Sequence, residues 1–198
     1  MRRAFGFTLI EVVVVIGVMG IIASLMLANF PKFNRQIAVD REGGKLSLSL
    51  RKSQSYALAV REFSSTFNDD PYCTNPPVKF PGYGLFFRTS DKTSYLIFGD
   101  FNCSKYYDET TAWGGEAVEA VNIENRVMIS QIKGYDAALC SAGCPLPELA
   151  ILYIRPGPTT LIKSGVFDYN YAEIYLASQD GSVTKKVVVR STGQISIE

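Results

Sequence analysis

From Phe7 to Phe30 the chain runs through Val, Ile, Leu, Met, Ala and Gly with a single charge, Glu11, and meets its next charge only at Lys32. A helix needs roughly 20 residues to cross a bilayer core, at about 1.5 Å each, so this stretch is long enough to span one. Gly17, Gly20, Ser24 and Ala28 recur near one face at helical spacing, and small residues there let helices approach closely in lipid. Pro31 follows. A proline inside a helix removes one backbone donor and clashes with the preceding turn, which predicts a bend near Phe30. Beyond it the pattern becomes amphipathic: Leu46, Leu50, Ala57 and Val60 return to one face, with Arg41, Lys45, Arg51, Lys52 and Arg61 left for water. The Gly43-Gly44 pair weakens this second stretch by about 1 kcal/mol per residue relative to Ala.

After Phe63 the period changes. Residues 64–82 are rich in Pro, Asn, Asp and Ser, including Pro71, Pro76, Pro77 and Pro81, and read as a loop. Short β-branched and aromatic runs follow, at Tyr83 to Arg88, Ser94 to Phe98, Val118 to Ile123, Val127 to Ile132, Leu149 to Ile154, Ala172 to Ala177, Val183 to Arg190 and Gln194 to Ile197. Separated by Gly, Asp, Asn and Pro turns, they predict hairpins and meanders. Asp180-Gly181 and Thr192-Gly193 join the last pairs of runs. The expected fold class is therefore α+β, a long N-terminal helix packed on a mostly antiparallel sheet system. The boundaries read as a leader over 1–6, an apolar helix over 7–30, an amphipathic continuation over 31–63 and a β-rich globular domain over 64–198, which is long enough to bury one core.

Glu11 is the position that the apolar pattern does not explain. A carboxylate this far inside a membrane-length segment costs roughly 2.5–3.5 kcal/mol on translocon scales, so it calls for a partner that neutralises it. The nearest candidate is an α-amine freed by cutting the chain after Gly6, on the same or a neighbouring copy. An ordinary secretory signal has an apolar core of roughly 7–15 residues followed by a small-x-small cleavage site, and this stretch is longer and runs into Asn29-Phe30-Pro31-Lys32 instead. A plain anchor fits the length but leaves Glu11 unexplained. Arg2 and Arg3 favour an N-terminus on the cytoplasmic side with everything after Pro31 exported, although Lys32, Arg35 and Arg41 lie on the far side.

Arg2, Arg3, Gly6, Phe7, Thr8-Leu9-Ile10 and Glu11 together resemble the class III signal peptide of the type IV pilin and type II secretion pseudopilin superfamily. Pilins often carry a proline where this chain has Ala28. The resemblance implies that a prepilin peptidase cleaves between Gly6 and Phe7 and methylates the Phe7 amine, and that Glu11 pairs with that amine during filament assembly. It also implies as partners other pilin or pseudopilin subunits, an inner-membrane assembly platform, and membrane lipid before assembly. The implied location is the inner membrane in a single pass, then an extracytoplasmic filament. Tyr83 to Phe87, Tyr95 to Asp100, Arg155-Pro156-Gly157-Pro158 and the closing run from Val187 to Ile195 look like minor H-type pseudopilins and fimbrial-T-type minor pilins.

Cys73, Cys103, Cys140 and Cys144 all fall in the part expected to be exported, where an even count favours disulfides over free thiols. Four cysteines allow three connectivities. Cys140 and Cys144 enclose a short loop that can close on itself, which leaves Cys73 to meet Cys103; zinc competes, but the spacings do not give two paired ligand knuckles. Asp100, Asn102, Ser104 and Asp108 occupy the first, third, fifth and ninth positions of a calcium-type loop, whereas Lys105 stands where the sharp-turn Gly belongs and Thr111 where the bidentate Glu belongs. Calcium and a solvated hairpin loop both remain open for this segment.

The chain contains no histidine, no Gly-rich phosphate loop and no ligand cluster. The expectation is a structural subunit and not an enzyme, with no catalytic residue and no cofactor beyond the calcium alternative. A net charge of +1 favours no nucleic-acid partner in itself. The resemblance to the fimbrial-T type leaves DNA capture as the competing function, for which Lys185, Lys186 and Arg190 are the only late basic group.

Overall fold

In the computed structural model, which describes residues 6–70, 72–155 and 159–198, a single helix α1 (Leu9–Leu58) carries both halves of the N-terminal pattern. Arg2 and Arg3 of the leader, Pro71 and Pro156-Gly157-Pro158 lie outside the described residues. At about 1.5 Å per residue, α1 is about 75 Å long. The helix starts where Thr8, in extended conformation, turns its hydroxyl to accept from the Glu11 N–H at 3.3 Å. It continues through Pro31, so the bend expected near Phe30 does not break the helix. Proline forgoes one donor, and the hydrogen-bond ladder closes on either side of it.

The helix closes at Leu58. Val60 adopts the left-handed conformation at φ 55°, and the Arg61 N–H returns to the Tyr56 carbonyl at 3.1 Å, the bond pattern of a Schellman cap. Val60, expected on the apolar stripe, is therefore outside the helix and exposed. The buried stripe is Val39, Leu46, Leu50, Ser53 and Ala57, at helical spacing.

Eleven strands follow among the described residues: β1 (Gly82–Arg88), β2 (Asp91–Asp100), β3 (Ala117–Asn122), β4 (Val127–Asp136), β5 (Cys140–Pro145), β6 (Glu148–Ile154), β7 (Thr159–Ser164), β8 (Phe167–Asp168), β9 (Tyr171–Ser178), β10 (Thr184–Arg190) and β11 (Ile195–Ile197). They form two antiparallel sheets, one in the order β3-β2-β1-β6-β7-β8 and the other in the order β11-β10-β9-β4-β5. The C-terminal half of α1 packs on β1 and β6 of the first sheet and on β4, β9, β10 and β11 of the second. Its stripe therefore joins one core with Tyr83, Leu85, Phe87, Ile97, Ile129, Ile132, Ile151, Ile174, Val187 and Val189. The fold is α+β, as the periodicity predicts.

Each run expected as a strand is found as one. β5, β7 and β8 were not expected. β5 holds two cysteines, a glycine and a proline, which read as loop, and it becomes a strand by pairing with β4, Lys133 opposite Pro145 and Asp136 opposite Cys140. β1 is buried on both faces. Its Tyr83, Leu85 and Phe87 meet the helix-side core, while Phe86 joins Phe98, Ala150 and Leu152 in a second, smaller core. The loop after β2 covers that second core with Tyr106 and Tyr107; Phe86 and Tyr107 have ring centroids 4.7 Å apart.

Two glycines test this packing in opposite directions. A Cβ on Gly44 meets nothing within 4 Å, whereas one on Gly84 would lie 2.3 Å from the Ile151 carbonyl oxygen and 2.9 Å from the Phe98 ring. Gly44→Ala should therefore raise the unfolding free energy by about 1 kcal/mol through helix propensity. Gly84→Ala should lower it by about 1–3 kcal/mol through overpacking at a strand that cannot move away from its neighbour. Denaturant titration of the two variants beside the parent chain reads both signs; equal effects would contradict the packing.

Candidate processing and assembly site

The first helical turn carries the residues singled out at the N-terminus. Gly6 and Phe7 precede the helix in an exposed, non-helical segment, Phe7 with 84% of its surface accessible. Thr8 is the N-cap, and Leu9, Ile10 and Glu11 form the first turn. Thr8-x-x-Glu11 has the residue spacing of a capping box, in which the hydroxyl serves the N–H three residues on. That spacing is legible in the sequence, and it gives Thr8 a capping role beside its place in the motif. A carboxylate in this turn is also favoured by the helix dipole. Among the described residues the Glu11 carboxylate has no ion-pair partner.

The apolar half that follows stands clear of the sheets. Over Leu9–Leu27 no residue is buried, and the segment is long and apolar enough to cross a membrane. Gly17, Gly20 and Ser24 are exposed along it. The side chain of Ala28, also named for close helix approach, lies outside the described residues. Burying this surface releases about 25 cal/mol per Å² of apolar area removed from water, so the segment cannot remain in water as a free rod.

Residues 1–27 match the family model for the prokaryotic N-terminal methylation motif. The chain carries the class III signal peptide of type IV pilins. The motif implies a pilin-like or pseudopilin protein processed by prepilin peptidase, and it points to a structural subunit. No curated protein and no solved structure matches the chain.

The four cysteines form two bonded pairs, Cys73 with Cys103 and Cys140 with Cys144. The first ties the loop after α1 to the loop after β2. The second closes on itself within β5.

Around Cys103 the four candidate calcium ligands are brought close but are occupied with one another. Asn102 donates to the Asp108 carboxylate at 2.7 Å and accepts from the Ser104 N–H at 2.9 Å, the Ser104 hydroxyl donates to the Tyr106 carbonyl at 3.0 Å, and Asp100 accepts from the Lys105 N–H at 3.2 Å. Among the described residues no group of three or more His, Cys, Asp or Glu is placed to hold a metal ion.

A residue that the sequence did not flag completes this loop. Glu116 is wholly buried, one carboxylate oxygen accepts from the Asp108 N–H at 2.9 Å, and the other is enclosed with no hydrogen-bond partner. Burial pushes the Glu116 carboxyl up to about 8, opposed by the Asp108 N–H and assisted by the charge of Asp100. Burial likewise raises Asp100 to about 7, opposed by the Lys105 N–H. The loop over the second core is thus held by acids that favour their neutral form.

Of the late basic group, Lys186 reaches Glu173 at 2.8 Å and Glu198 at 3.0 Å, and Lys185 reaches Asp40 at 2.7 Å. The Arg190 guanidinium stacks 5.2 Å from the Tyr171 ring centroid. The patch expected from the sequence is largely neutralised by acids contributed from α1, β9 and the last residue.

The two buried acids give a pH dependence with a definite sign. Their folded values lie above the ordinary carboxylate range, so the stability they contribute is complete below about pH 4 and is lost as pH rises toward 8, because the unfolded chain ionises first. Between pH 5 and pH 8 the denaturant midpoint should fall. Glu116→Gln, which keeps an acceptor for the Asp108 N–H, should flatten that slope and stabilise the chain at pH 8. A slope unchanged by the substitution would place the titration elsewhere.

Proposed function

We propose that the chain is a minor pilin or pseudopilin, a structural subunit of a type IV pilus-like or type II secretion filament, cut between Gly6 and Phe7 and assembled through the apolar half of α1. The observation that carries this reading is an exposed apolar half-helix whose single carboxylate has no ion-pair partner among the described residues, within a methylation motif. A methylated Phe7 amine of a neighbouring copy would supply the missing positive charge. Apolar burial between stems would supply most of the cohesion, because that area is large and the ion pair is single.

In this reading the chain first sits in the inner membrane in one pass, N-terminus in the cytoplasm and sheets exported, and an assembly platform then draws it into an extracytoplasmic filament beside other pilin subunits. The two disulfides suit an oxidising exported compartment. DNA capture is the less supported alternative. Phosphate contact needs basic side chains free to release counterions, and Lys185 and Lys186 are held by Asp40, Glu173 and Glu198.

Mass spectrometry of the mature chain should find an N-terminus at methylated Phe7; an intact Met1 or a cut near Ala28 would overturn the reading. Glu11→Ala should leave the chain in the membrane fraction while removing it from sheared filaments. Undiminished incorporation of that variant would show that the carboxylate does not set assembly.

A further inference from the structure

Where the apolar half of α1 ends, the globular part meets it across a groove lined by two arginines, Arg35 and Arg126. Pro31, Asn34, Arg35 and Ala38 recur at helical spacing and face a groove of about 460 Å³ whose opposite wall is the β3–β4 turn, with Arg126, and the β9–β10 turn, with Gln179 and Asp180. Arg35 reaches Asp180 at 3.0 Å, yet its Nε is enclosed with no hydrogen-bond partner. Arg126 is exposed and has no ion-pair partner among the described residues. The groove therefore holds two guanidinium groups against one carboxylate, and the exposed Lys32 follows its lining residue Pro31 in the chain.

The turn that presents Arg126 is held in a costly conformation. Asn125 and Arg126 both lie in the left-handed region, at φ 58° and 57°. Such residues persist only where their surroundings over-determine them. Here Asn125 donates to the buried Glu42 carboxylate at 2.8 Å, and the Arg126 carbonyl accepts from the Gln179 N–H at 2.9 Å. Glu42 itself lies on α1, so the stem fixes the turn that leans over it.

The height of this groove relative to the apolar segment decides what it meets. The span runs to Leu27. At about 1.5 Å per residue, Pro31 lies about 6 Å and Arg35 about 12 Å beyond its end. Each headgroup layer of a bilayer is roughly 5–8 Å thick, so Pro31 stands within it and the Arg35 backbone just beyond it, a distance that the length of an arginine side chain spans back to the phosphates. Phe30 and Phe33 are exposed at the same level, where aromatic side chains concentrate at membrane interfaces. A guanidinium matches a phosphate with paired, charge-assisted hydrogen bonds.

We propose that the groove between α1 and the β3–β4 and β9–β10 turns is a lipid-phosphate site, in which Arg126 and Arg35 hold the headgroup of an anionic phospholipid and Lys32 flanks it, so that the sheets rest on the outer face of the membrane before the chain leaves it. The inference rests on Leu9–Leu27 being a membrane span. Leaving the membrane then means releasing these headgroups as well as extracting the stem. Each cation near an anionic surface strengthens binding by about fivefold, and the attraction weakens as salt shortens the Debye length.

The test uses the full chain in lipid nanodiscs, with hydrogen–deuterium exchange read at residues 124–126 and 179–182. In discs containing phosphatidylglycerol these turns should exchange several-fold more slowly than in discs of phosphatidylcholine alone, and added salt should reduce the difference. Arg126→Gln should lower the protection about fivefold without altering exchange in β4 or β9. Inorganic phosphate added to the phosphatidylcholine discs should not reproduce the effect. Equal exchange in the two kinds of disc, protection by free phosphate, or protection that survives Arg126→Gln would overturn the lipid site while leaving the filament reading intact. A chain that fails to enter the discs would overturn the span and the lipid site together.

Discussion

The chain is organised by one mismatch: a single continuous helix of which one half packs against two sheets and the other half is apolar and covered by none of the described residues. The buried half contributes Val39, Leu46, Leu50 and Ala57 to a core shared by both sheets. That anchorage fixes where the exposed half points, because the helix continues through Pro31. An apolar rod with a charge near its tip is stable only in lipid or against copies of itself. The globular part is thus a mount for a segment that none of the described residues covers.

Lysines on the solvent side of the buried half reinforce this mount. Lys45 donates to the Asn122 carbonyl at 2.8 Å and Lys52 meets the Glu119 carboxylate at 2.5 Å, both on β3, the edge of the first sheet. Neither pair is worth much by itself, since partly exposed ion pairs contribute about 0–1 kcal/mol. Their effect is on geometry: they close the side of the helix that the core does not reach. At the other side Lys185 of β10 reaches Asp40, so each sheet is tied to the stem by at least one ion pair.

The loop after β2 follows a different logic. It covers a second apolar patch with Tyr106 and Tyr107, is clipped by the Cys73–Cys103 bond, and is held from beneath by Asp100 and Glu116. In sequence its oxygen-bearing residues have the spacing of a cation loop. In space those oxygens accept from the loop's own backbone N–H groups and from the Asn102 side-chain amide. Spacing alone does not reveal whether a set of acceptors is free or already occupied.

Much of the protein was legible before its structure. The length and apolarity of residues 7–30, the lone Glu11, the helical period through Ala57 and the alternating β-branched runs each follow from local chemistry, which needs no knowledge of neighbours. The end of α1 at Leu58, the strands β5, β7 and β8, the burial of Glu116 and the pairing of Lys185 and Lys186 with acids from remote segments were not. Each of these depends on which distant residue comes to lie alongside: β5 is a strand because β4 offers it an edge, and Glu116 is perturbed because the sheet and its loop exclude water around it. The sequence by itself determined that a charged, membrane-length helix would need a partner. Only the tertiary structure decided how that helix is mounted, which of the remaining charges are left free, and where the free ones stand relative to the end of the apolar segment, because burial and charge pairing are properties of packed surfaces and not of sequence neighbours.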